Sequence, residues 1–245
     1  MHKFQELTDA AWKTVFFDPC TADWKAKWSL DGQKATVSTA EEGMDFAAGS
    51  TPGDDACHAV LWTQQRFAGD LKIEYTYTRT DAAIRFVTIL YVQASGSGEG
   101  VYTKDIAKWA HLRTVPAMST YYDNMDTLHI SYAAFGVTNE NPELDYIRAR
   151  RYMPLLKQGL AGTALQGEYL ETGLFATGVP HRITVLKAGD ALFMHIGNSD
   201  GELLCQWHNT SLPPILEGRI GLRHMYTRAA RYRDFRVSVP QTETQ

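Results

Sequence analysis

From Asp70 to Arg79 the chain alternates strictly: Leu71, Ile73, Tyr75 and Tyr77 are apolar or aromatic, and Lys72, Glu74, Thr76 and Thr78 between them are polar. A period of two belongs to a β-strand with one face in a core and one in water. It excludes an amphipathic helix, whose apolar positions recur every three to four residues. Similar short runs return along the chain at intervals of about 8–12 residues, separated by Gly, Pro, Asn and Asp. They include Thr14-Val-Phe-Phe-Asp, residues 35–39, 43–48, 58–63, 127–133, 181–187, 191–196, 202–207, 218–225 and 232–239. Residues 83–93 are apolar on both faces, as a central strand covered on each side would be.

Such spacing predicts an all-β, two-sheet antiparallel jelly-roll sandwich, with residues 1–245 as a single domain. The Phe16-Phe17 and Phe235–Val239 strands suit side-by-side closure of the two ends. Three stretches depart from the strand pattern. Trp24 and Trp28 are four apart, which suits either one helical turn with both indoles on the core or an irregular loop anchored by tryptophan. The loop Ser95-Gly-Ser-Gly-Glu-Gly leads into a helical excursion over 102–112, and residues 155–175 lack a period and read as a long loop.

Charge narrows the partners. The net charge is −4 and the pI about 6.1, which argues against nucleic acid or an anionic membrane as the partner, since both need a dominant basic field. Any basic site is local. Cys20, Cys57 and Cys205 are odd in number and far apart, so free buried thiols are expected. With no apolar core in the first residues and no run of 18 apolar residues, the reading is cytoplasmic. No HExxH motif, EF-hand, Walker loop or dinucleotide fingerprint is present. No cofactor or catalytic metal is expected, although a structural calcium held by backbone carbonyls and one Asp would leave no motif.

The local basic site is the stretch 145–154. As a strand it places Tyr146, Arg148, Arg150 and Tyr152 in one row and Ile147, Ala149, Arg151 and Met153 in the other. Two tyrosines bracketing two guanidiniums can stack on a sugar ring and fork onto a carboxylate. The candidate neighbouring strand offers His129 and Ser131 on its polar face. His224, Tyr226, Tyr122 and Arg85 add further polar or aromatic groups, with Glu74 the expected partner of Arg85 if that arginine is structural.

Several segments together resemble the bacterial YesU-like family of unknown function: Phe17-Asp-Pro, His58-Ala-Val-Leu-Trp, Leu128-His-Ile-Ser-Tyr with the arginine-rich strand after it, and Gly218-Arg-Ile-Gly-Leu-Arg-His-Met followed by Tyr-x-x-Phe-x-Val. The resemblance implies a concanavalin-A-like jelly roll associated with the use of uronic-acid-containing polysaccharides. It carries over no catalytic residues.

The chemistry is therefore argued from the residues. β-Elimination at a uronic acid needs a neutralised carboxylate, a base for the C5 proton and an acid for the leaving oxygen. Arg148 and Arg150 are the expected neutralisers, His129 the base, Tyr146 the acid and His224 a further catalytic candidate. Tyr152, Ser131, Arg85, Tyr122 and Tyr226 are expected to contact substrate. The leading expectation is thus a lyase acting on acidic oligosaccharides. A non-catalytic carbohydrate-binding module is the first alternative. A glycoside hydrolase using, for instance, Glu74 and Asp234 is the second, since no Glu-x-Asp-x-x-Glu strand is present.

Overall fold

The structure is a computed structural model describing residues 2–210 and 212–241. Helix α1 (His2–Asp9) precedes strands β1 (Trp12–Asp18), β2 (Trp28–Asp31), β3 (Thr36–Ala40), β4 (Gly43–Ala47), β5 (Ala59–Thr63), β6 (Phe67–Ala68), β7 (Leu71–Arg79) and β8 (Phe86–Gly96). The short helix α2 (Met118–Tyr122) then leads to β9 (Met125–Phe135), β10 (Tyr146–Tyr152), β11 (Ala164–Leu170), β12 (Pro180–Ala188), β13 (Ala191–Gly197), β14 (Glu202–His208), β15 (Glu217–His224) and β16 (Ala229–Pro240).

Two antiparallel sheets face each other. The first runs β14-β13-β12-β7-β16-β4-β3, with β1 also on β16; the second runs β11-β10-β9-β8-β15-β5-β2, with β6 also on β15. The first and last strands close side by side, Phe16 opposite Val237 and Phe17 opposite Arg236. This is the jelly roll expected from the period-two pattern.

The core lies between the sheets and follows from alternation. Leu71, Ile73, Tyr75 and Tyr77 of β7 point inward and meet Leu90, Val92, Leu128, Ile130, Tyr132, Ile147 and Leu222 from the second sheet. Edge-to-face aromatic packing of Phe16, Trp28 and Phe235, with centroids 5.0–6.2 Å apart, locks the closure. Aromatic polar atoms buried there find partners in two places: Trp28 Nε1 donates to Asp18 at 2.6 Å, and the Tyr75 hydroxyl donates to that of Tyr132 at 3.1 Å. Cys20, Cys57 and Cys205 are free and buried. Burial, with Asp18 nearby, pushes the Cys20 thiol up to about 12, and burial does the same to Cys205, so both are protonated and inert.

Strand β8 is buried along its whole length, because a second apolar layer covers the outward face of the second sheet. Residues between β8 and β9 fold back over that face. They form a 3-10 segment, Ile106–Arg113, kinked at Trp109, followed by α2, rather than the expected continuous helix over 102–112. Tyr121 of α2 stacks on Trp62 and Tyr91 of the sheet, with centroids 5.4–6.4 Å apart among the three.

Two more segments depart from expectation. Trp24 opens a single 3-10 turn, Trp24–Ala26, while Trp28 starts β2. The stretch read as a loop over 155–175 contains β11, an edge strand with Leu165 as its one buried residue. An edge strand exposed on both faces loses the alternation that marks a strand in sequence.

The Gly218–Arg223 motif has a steric cause. A Cβ on Gly218 would sit 2.3 Å from the Gln93 carbonyl carbon, and one on Gly221 would sit 2.4 Å from the Trp62 ring. Backbone and a stacked indole cannot withdraw cheaply. Gly218→Ala is therefore expected to destabilise by about 2–3 kcal/mol. Gly189→Ala is the control, since space is open there and its cost is only that of a left-handed turn position. Urea unfolding of both variants checks the difference.

Candidate functional site

Parity places the arginine row. Ile147 and Ala149 of β10 enter the inter-sheet core, so Tyr146, Arg148, Arg150 and Tyr152 face outward from the second sheet. Leu128, Ile130 and Tyr132 of β9 likewise point in, which turns His129 and Ser131 out beside them. Pairing sets Arg150 opposite His129 and Arg148 opposite Ser131. The two strands thereby bring six of the expected site residues onto one patch.

Its deepest part is a closed polar cluster. His129 is 3% exposed and Tyr152 fully buried. His129 Nδ1 lies 2.6 Å from the Tyr152 hydroxyl and its Nε2 2.7 Å from Ser131 Oγ. Burial holds His129 well below the usual imidazole range, with Arg150, Arg223 and Arg148 adding repulsion. The ring is neutral at pH 7, so one nitrogen donates and the other accepts. Tyr122 on α2 packs edge-on against Tyr152, centroids 6.4 Å apart, and so roofs the cluster.

Above the cluster the patch is open. Arg148 Nε donates to Glu168 at 2.8 Å, and its guanidinium stacks 4.6 Å over the Tyr146 ring. Burial raises the Tyr146 hydroxyl's pKa, while Arg148 and Arg150 oppose the rise. The one side-chain hydrogen bond of Arg150 is from Nη1 to Thr163 Oγ1, at 3.1 Å, and it forms no ion pair among the described residues.

Three expected site residues lie elsewhere. His224 is a correction: it is sealed between the sheets, 0% exposed, with Nε2 2.7 Å from the Tyr232 hydroxyl and its ring 4.6 Å from Phe46. It follows Arg223 on β15, so the pleat turns it to the face opposite His129. Arg85 sits on the bend before β8, where Phe86 has a positive φ of 69° that interrupts alternation. It donates from Nε to the Asn139 carbonyl at 2.9 Å and lies 3.5 Å from Glu140, not Glu74. Tyr226 stands at the rim, its ring 4.1 Å from His58 and its hydroxyl 3.4 Å from Asp55.

Groups not singled out from sequence complete this face. One oxygen of the buried Asp31 accepts from Trp62 Nε1, Arg113 Nε and the Tyr121 hydroxyl at 2.7, 2.6 and 2.9 Å. No local motif announces this, because the donors come from segments up to 90 residues away. Glu74 and Asp234 both line an open trough of about 570 Å3 on the outward face of the other sheet, with Arg182 and Arg236. A cavity of about 660 Å3 lies between the β11 and β14 edges. Its His181 already has both nitrogens engaged, with Val179, Phe175 and Asn198. Among the described residues no cluster of three or more His, Cys, Asp or Glu is arranged to hold a metal ion.

The buried histidines set an acid limit. Burial pushes His58 to about 2 and His224 to about 4, against about 6.5 in the unfolded chain. Below pH 6.5 the unfolded chain takes up protons that the folded one refuses, so stability is full above pH 6.5 and is lost as pH falls. His224→Gln should flatten the loss between pH 6.5 and 4 by up to ~1.4 kcal/mol per pH unit, measured by urea unfolding across that range.

Comparison with known proteins agrees with this architecture. Residues 20–237 match a family described as a domain of unknown function, DUF1961. No curated protein matches the sequence. A Bacillus subtilis protein of unknown function with a galectin-like fold superposes with a TM-score of 0.70 at 19% identity, covering 94% of this chain and 100% of that one. The exoplasmic/lumenal domain of VIP36 gives 0.58 at 11% identity, covering 96% and 92%. A legume lectin-like domain from Entamoeba histolytica gives 0.57 at 8%, covering 95% and 100%. The fold is therefore that of the galectin and legume-lectin jelly rolls, and the chain belongs to the DUF1961 family.

Proposed function

We propose that this protein binds an acidic carbohydrate on the outward face of the second sheet, with Arg150 and Arg148 meeting a sugar carboxylate and Tyr146 lying against a ring. Arg150 carries this reading. Its neighbour Arg148 has Glu168, whereas Arg150 meets only a threonine hydroxyl beside a neutral histidine. A guanidinium so placed can fork onto a carboxylate with little rearrangement. The fold adds support, since the VIP36 domain is described with Man3GlcNAc bound and a lectin of the same architecture with galactose.

Lyase chemistry is the second reading, favoured by the 2.6 Å contact between His129 and Tyr152. A carboxylate neutralised by Arg150 acidifies the C5 proton; the neutral imidazole accepts it and a tyrosine protonates the departing oxygen. In the structure this pair is roofed, so binding accounts for the open half of the patch and elimination would need the roof to part.

Calorimetry with trimers of galacturonate, glucuronate and mannuronate, against neutral trimers, tests the first reading. Binding of an acidic trimer is expected, weakened about tenfold or more by Arg150→Gln. Equal affinity for the neutral trimers would sink the carboxylate assignment. Ultraviolet absorbance of an unsaturated uronate, lost in Tyr152→Phe while binding persists, would establish elimination. Binding without that absorbance leaves a recognition protein.

A further inference from the structure

Five arginines are buried among the described residues: Arg79, Arg113, Arg151, Arg223 and Arg228. Four have a carboxylate. Arg79 and Arg228 share Asp81, Arg113 holds Asp31, and Arg151 holds Asp126. Arg223, 0% exposed, forms no ion pair among the described residues. Its Nη2 donates to His58 Nδ1 at 2.9 Å and to the Pro116 carbonyl at 2.7 Å, while Nε and Nη1 have no partner. Its guanidinium lies 4.3 Å over the Tyr121 ring. His58 is neutral and so returns no charge. Arg151 and Arg228 each also have one idle nitrogen, but both of those guanidiniums hold a carboxylate. An uncompensated buried cation is costly, and among the buried arginines described Arg223 is the exception.

Its position gives the cost a purpose. Arg223 is opposite Ile89, Ile89 opposite Ser131, and Ser131 opposite Arg148. The adjoining row is Gly221, Tyr91, His129 and Arg150. At about 4.8 Å per strand, Arg223 stands roughly 14 Å across the sheet from Arg148, on the far side of the His129 cluster. The Tyr91 hydroxyl lies beside Arg223 and Tyr152 and is likewise buried without a hydrogen bond of good geometry. Two unfilled guanidinium donors and one unfilled hydroxyl match the two oxygens of a carboxylate.

We infer that Arg223 and Tyr91 form a buried carboxylate subsite, so that the ligand is an oligosaccharide with at least two carboxylates, one on Arg150 at the open patch and one on Arg223 beneath Pro116 and Tyr121. This rests on the acidic-carbohydrate reading above. It adds that the ligand enters under the 106–122 segment, which gives way to admit it.

The test is the affinity ratio of each uronate trimer to its fully methyl-esterified form, measured for wild type, Arg223→Met and Tyr91→Phe. The ratio is insensitive to lost stability, because an unfolded fraction lowers both affinities alike. Wild type should prefer the acid by about 30-fold or more, and Arg223→Met should reduce the preference to about threefold. Tyr91→Phe keeps the stacked ring and removes only an unsatisfied hydroxyl. It should melt no lower than wild type yet lose preference about fivefold. Arg233→Gln, an exposed site on the other sheet, should change nothing. An undiminished ratio in Arg223→Met and Tyr91→Phe, with wild type still preferring acid, overturns this subsite and leaves the Arg150 reading standing. A wild type that binds no acidic trimer overturns both.

Discussion

One carboxylate organises the face that carries the candidate site. Asp31 ends β2 at the edge of the second sheet, and a single oxygen of it receives an indole, a guanidinium and a phenol. Those donors belong to β5, the 3-10 segment and α2. Satisfying one buried charge thus ties the 106–122 segment onto the sheet and holds Trp62 flat on Gly221. Without that layer β8 would expose Val87, Ile89 and Tyr91, which now lie beneath it. The second sheet is in effect the middle layer of three, and its outward face is a built interior that opens toward β10 and β11.

On both faces of that sheet, buried polar groups divide into those matched to partners and those left over. Arg113, Arg151, Arg79 and Arg228 hold segments together through paired carboxylates, the usual condition for burying charge. His129 and Tyr152 satisfy each other. Arg150, Arg223 and Tyr91 are incompletely matched, and all three border the same cluster. A buried guanidinium without a carboxylate, in a protein that pairs its other buried arginines, is the physical reason to place the ligand there.

The fold was largely legible because most strands have one wet face. β7 shows this in every residue, and β9 and β10 show it well enough to turn His129, Ser131, Arg148 and Arg150 to the same side. β11 was not legible, since an exposed edge strand has no apolar period. The helical excursion expected over 102–112 is instead a 3-10 segment kinked at Trp109, a break that no residue type there marks in the sequence. His224 shows the limit of reading sites by residue type: one step along β15 separates it from Arg223, and the pleat sends the two to opposite faces. Arg223 stands in the sequence only as part of the Gly218–Met225 segment, since sequence cannot reveal that a guanidinium lacks a counter-ion.

The sequence alone therefore determined the sandwich, its closure by the terminal strands and the side of β10 on which the arginines stand, because each follows from local alternation. The tertiary structure decided which outward face is roofed, that Gly218 and Gly221 are required by Gln93 and Trp62, and that Arg223 and Arg150 flank one histidine. Those facts depend on pairing register and on contacts between segments far apart in the chain. A period of two carries no information about either, since it states which face a residue takes and nothing about what lies across from it.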